Sequence, residues 1–111
     1  MFAKLDTVII NVKSLGTARQ WYSDVLELEE IFDGGSHIVF KVGQGDAPIT
    51  IIEGETGRSS VKPILFSDAI EETQLKLKGK GVEAGPLEND GTVTFFTFDD
   101  PDGNSFEVCH Y

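Results

Sequence analysis

Apolar and polar residues alternate from Leu5 to Val12, which predicts a strand. Leu5, Thr7, Ile9 and Asn11 fall on one side of it, Asp6, Val8, Ile10 and Val12 on the other. The period then lengthens. Ser14 stands where a helix N-cap belongs, and Leu15, Ala18, Tyr22 and Val25 share one helical face with Trp21 beside them. The spacing predicts a helix as far as Leu26. Strands are expected at Leu28–Phe32, Ile38–Val42 and Pro48–Glu53, the first two joined by the turn Asp33-Gly34-Gly35-Ser36.

The same order returns in the second half. Val61–Phe66 reads as a strand, and Asp68 followed by Glu71 resembles a capping box at a helix start. That helix is expected to stop at Gly79 or Gly81, with Lys76, Lys78 and Lys80 near its end. Strands follow at Glu83–Leu87, Val93–Phe98 and Ser105–His110, separated by Asn89-Asp90-Gly91 and Pro101-Asp102-Gly103-Asn104. Superposing Phe40 on Phe96 also brings Val42 onto Phe98 and Ile52 onto Val108. The chain is βαβββ written twice. A single copy is too short to bury a core alone, so residues 1–111 are expected to form one domain of two modules, 1–55 and 56–111. Gly54–Ser60 reads as the linker.

Composition changes the picture in one respect. With 40% apolar and 25% charged residues it is ordinary, but the formal charge is −10. No basic patch accompanies it: the three helix lysines sit where cations suit the helix dipole. Nucleic acid is therefore excluded as the expected partner. The acidity serves solubility or attracts a cationic ligand. No apolar run approaches the length of a membrane span, and the first residues read as a strand rather than a signal peptide. The one cysteine, Cys109, precludes an intrachain disulfide and fits a reducing cytoplasm.

Two segments, KLDTVIINVKSLGTARQWYSDVLELEE and FDDPDGNSFEV, carry a resemblance to the vicinal oxygen chelate superfamily, which holds glyoxalase I, bleomycin-resistance proteins, extradiol dioxygenases and fosfomycin-resistance enzymes. The resemblance implies an α+β fold in which two tandem βαβββ modules form one curved mixed sheet around a cleft, with helices outside. It also implies a homodimer. In metal-dependent members, side chains from both modules bind a divalent ion that acts as a Lewis acid on vicinal oxygens.

Glu107 matches the family's metal-binding carboxylate, and alternation turns Ser105, Glu107 and Cys109 away from Phe106 and Val108. The family often has His in the first strand, where this chain has Thr7. By the superposition, Ile51 stands where a second carboxylate belongs, with Glu53 as a substitute if the register slips by two. Lys62 or Pro63 takes the place of another His. One clear ligand remains, and a useful divalent site needs about three. The expected cleft is lined by Thr7, Ile9, Asn11, Val39, Ile51, Phe95, Glu107 and Cys109. His37 reads as a strand-end residue in solvent or as part of the cleft mouth. His110 should face away from Glu107. Cys109 shares the face of Glu107 and reads as a small packing residue or as a thiol nucleophile, against which nearby acids, raising its pKa, would count. Trp21 and Tyr22 read as core. No GxGxxG, P-loop or nucleophile elbow competes.

The leading expectation is a protein that binds a small organic molecule, cationic or aromatic, in its cleft without the complete metal site. The alternative is a lyase, isomerase or dioxygenase of the glyoxalase type that uses a divalent ion (Ni, Zn, Mn or Fe), with Glu107 as ligand and proton-transfer base. A third reading is an oligomeric interaction or regulatory module with an empty cleft, which a cleft filled by its own side chains would favour.

Overall fold

The computed structural model describes residues 1–57 and 60–111; residues 58 and 59 of the expected linker lie outside the described part. The chain divides into two compact units, Met1–Thr56 and Gly57–Tyr111. Each is a βαβββ module with its own four-stranded mixed sheet and one helix.

In the first unit, β1 (Val8–Val12), β2 (Glu29–Asp33), β3 (His37–Lys41) and β4 (Ile49–Glu53) lie in the order β1-β4-β3-β2. Only the β1–β4 pair is parallel. The crossover α1 (Leu15–Asp24) packs on β3 and β4. Its start follows the sequence: the Ser14 hydroxyl accepts from the Thr17 N–H at 3.4 Å, and Glu53 Oε1 accepts from the Leu15 N–H at 3.2 Å. Glu53 thus closes a helix end. Ala18 and Tyr22 turn inward onto Ile10, Val12, Ile38, Phe40, Ile49 and Ile51, with the Tyr22 and Phe40 rings stacked at 5.8 Å. Arg19 reaches from the helix to the edge strand, making a two-pronged bond to Glu30 at 2.6 and 2.7 Å.

In the second unit the order is β5-β8-β7-β6, from β5 (Ile64–Phe66), β6 (Glu88–Asn89), β7 (Thr94–Asp99) and β8 (Ser105–His110). Again only the crossover pair, β5–β8, is parallel. The helix α2 (Ile70–Gly79) buries Ile70, Gln74 and Leu77 on its inner face and packs on β7 and β8. Phe96, Phe98, Phe106 and Val108 meet it.

Three local expectations are corrected. The strand expected at Glu83–Leu87 is not one; Pro86 has no N–H for a ladder, and only Gly85 bonds β7, donating to Thr97 O at 2.8 Å. Pairing resumes at the two residues of β6. The capping box at Asp68 does not form either. Ala69 is the N-cap and has no side-chain bond, while the Ser67 hydroxyl accepts from the Ala69 N–H and pairs with Thr73 at 2.8 Å. Both first strands are shorter than their apolar patterns: β1 begins at Val8 and β5 at Ile64, leaving Leu5 and Val61 outside the strands and exposed.

The closing turn is built around Asp100, which is 4% exposed. Its Oδ1 accepts from the N–H groups of Asp102 and Asn104, and its Oδ2 from the Asn104 amide, all within 2.9 Å. Gly103 takes φ +83°, where a Cβ would be strained.

Candidate functional site

The outer face of each sheet carries a cavity. In the first unit β1, β3 and β4 turn alternate residues away from α1, and Thr7, Ile9, His37, Val39, Thr50 and Ile52 line a cavity of about 770 Å³. Lys4, Asp6, Lys41 and Asp46 add charge of both signs to its wall. In the second unit Ile64, Phe95, Glu107 and Cys109 line a cavity of about 350 Å³ with Val93, Asp90 and Tyr111.

Strand register makes these faces equivalent. Ile9 pairs with Thr50 across β1–β4, and Ile64 pairs with Glu107 across β5–β8. His37 pairs with Ile52 just as Phe95 pairs with Cys109. Thr50 is therefore the counterpart of Glu107, and Thr7 the counterpart of Lys62. The Ile51 expected at that place is fully buried on the helix side of β4. The superposition of Phe40 on Phe96 was misleading because the loops between paired strands differ in length in the two copies, so spacing shifts while pairing does not.

Both pairs close on themselves. Thr7 donates its hydroxyl to Pro48 O at 3.0 Å, so the 2.8 Å contact between Thr7 and Thr50 is a donation from Thr50. Lys62 Nζ lies 3.7 Å from Glu107 Oε1, with the two side chains 45% and 20% exposed. A divalent ion would need several lone pairs at either place: the first unit offers two hydroxyls already engaged as donors, and the second an ammonium and one carboxylate. No group of three or more His, Cys, Asp or Glu among the described residues is placed to hold a metal. The donor set does not fit the ion that the resemblance implies.

Of the residues expected to line a cleft, Thr7, Ile9 and Val39 share the first cavity, and Phe95, Glu107 and Cys109 the second. Asn11 lies beyond the lining, where its amide donates to Glu55 O at 3.1 Å. His37 lines the first cavity, its ring folded back over Gly34, where any Cβ would run into it. His110 is turned to Ser67 O at 2.7 Å and stacks on Phe66. Burial first and the charge of Glu107 second push the Cys109 thiol up, away from reactive thiolate. Sequence reasoning passed over Asp90. The N–H groups of Val93 and Thr92 donate to its Oδ1 and hold the carboxyl below its usual range. The Asn-Asp-Gly turn gave the signal, since an Asx side chain there bonds the backbone beyond it.

No curated protein sequence matches the chain. Solved structures match it closely along its length. An integron cassette protein from the mobile metagenome of Halifax Harbour sewage outfall is 21% identical, covers 99% of this chain and 100% of its own, and has a TM-score of 0.86. TnmS3, an antibiotic-binding protein from Streptomyces sp. CB03234, is 16% identical over 98% and 96%, with a TM-score of 0.87. The fosfomycin resistance protein FosX from Listeria monocytogenes is 23% identical over 100% and 95%, with a TM-score of 0.82. At these identities the likeness is one of fold. The sequence itself is matched over residues 4–108 by the Glyoxalase/Bleomycin resistance protein/Dioxygenase superfamily, and the chain belongs to that superfamily.

Proposed function

We propose that the protein binds a small organic molecule, aromatic or cationic, in these sheet-face cavities without the help of a metal ion. One observation carries the reading: at the two equivalent positions where strand register would assemble ligands, Thr7 bonds Thr50 and Lys62 pairs with Glu107. Around them are surfaces suited to an organic guest, with Ile9, Val39 and Ile52 in one unit and Phe95, Val93 and Tyr111 in the other. The antibiotic-binding protein of like fold is consistent with sequestration rather than turnover. The acting species is a homodimer, a proposal supported by the exposed apolar side chains Ile9, Ile31, Phe32, Ile64 and Phe66. The free Cys109 suits a reducing cytoplasm. No helix among the described residues is long and apolar enough to cross a membrane.

A thermal-shift screen of aromatic amines and neutral aromatics tests the binding. Hits should raise the melting temperature in proportion to the logarithm of ligand concentration. Phe95→Ala or Ile9→Asp should remove the shift while the variant remains folded by circular dichroism. A screen without hits, or hits indifferent to both substitutions, would overturn the reading.

A further inference from the structure

We infer that Lys62 is a tethered cation that occupies Glu107 until an organic ammonium group of the ligand displaces it. This rests on the ligand-binding reading and names the chemistry of one of its sites. The Lys62–Glu107 separation of 3.7 Å is that of an ion pair without a short hydrogen bond, and the ammonium is nearly half exposed on a flexible stem. Such a pair opens at little cost. The equivalent positions of the first unit hold a 2.8 Å hydroxyl contact with no charge to exchange.

What surrounds Glu107 suits a replacement cation. Its cavity is walled by the rings of Phe95 and Tyr111, whose faces attract an ammonium group. Asp90 adds a second carboxylate, fixed by the backbone N–H groups of Thr92 and Val93 at 2.9 and 2.8 Å. Lys62 is not itself part of the cavity wall. Its departure therefore frees the carboxylate without emptying the apolar surface that would hold the body of the guest.

Titration with benzyltrimethylammonium, beside benzyl alcohol as a neutral aromatic probe, tests this on the full chain. Lys62→Met keeps the apolar stem and removes the competing charge. It should bind the ammonium about three- to tenfold more tightly than the wild-type protein, the range expected for losing one part-exposed charge. Affinity for benzyl alcohol should stay within about twofold. The gain should shrink at high ionic strength and vanish in Lys62→Met/Glu107→Gln. Equal or weaker ammonium binding by Lys62→Met, a gain that survives Glu107→Gln, or no ammonium binding by either protein would overturn the inference. Benzyl alcohol binding that depends on Phe95 would leave the ligand reading standing in each of those cases, and its loss together with the ammonium's would remove both.

Discussion

Asp100 and Glu107 are both acids of the closing β7–β8 hairpin, and they are used in opposite ways. Asp100 is buried and accepts from two backbone N–H groups and one side-chain amide, so it shapes the turn. Glu107 faces a cavity and, among the described residues, has one loose ion-pair partner, Lys62. Asp100→Ala should cost about 2–4 kcal/mol, since it removes charge-assisted bonds and leaves buried donors unpaired. Chemical denaturation reads that loss, and a cost below about 0.5 kcal/mol would contradict this account of the turn. Glu107→Gln should cost under about 1 kcal/mol, as expected for a part-exposed pair. Cys109 gives a pH prediction. Its thiol is raised in the folded chain, so it contributes stability below the ordinary thiol range and loses it as pH rises through the raised value. Native protein at pH 8 should react with a disulfide reagent far more slowly than unfolded chain, and a rate matching the unfolded one would contradict burial of the sulfur.

At the scale of elements, most of the fold was legible because periodicity reports which face is buried. Ser14, Ala18 and Tyr22 announced α1 and its orientation, and Phe96 and Phe98 announced the helix side of β7. Short-range chemistry misled where tertiary context decides. Asp68 and Glu71 have capping spacing, but the Ser67 hydroxyl takes the first bonds at α2. Register was the larger gap. Loop length varies at small entropic cost, so superposing aromatic residues along the sequence makes Ile51 the counterpart of Glu107, whereas strand register makes it Thr50. Two neighbouring substitutions separate these readings. Ile51→Ala, in the core, should cost about 2–4 kcal/mol, while Ile52→Ala on the cavity face should cost under about 1.5 kcal/mol and weaken ligand binding instead. Equal stability losses would contradict the register that places Thr50 on the cavity face.

Across the whole molecule, a duplicated βαβββ plan repeats one arrangement of positions and changes the chemistry at each. Two hydroxyls occupy the pair in the first unit, and an ammonium with a carboxylate occupies it in the second. The family was readable from the closing DPDGN turn and Glu107. The altered donor set was readable only in part, because Thr7 and Lys62 are named by sequence while Thr50 needs the strand pairing. The net charge of −10 is spread over both modules and does not by itself select a guest. The most direct test is metal content by elemental mass spectrometry, on purified wild-type protein and Glu107→Ala after loading with nickel, zinc, manganese and iron(II) and removal of free ion. Metal far below one ion per chain in both proteins is the predicted result. One ion per chain in the wild type, lost in Glu107→Ala, would contradict the account and turn attention to the metal-dependent reactions of the superfamily.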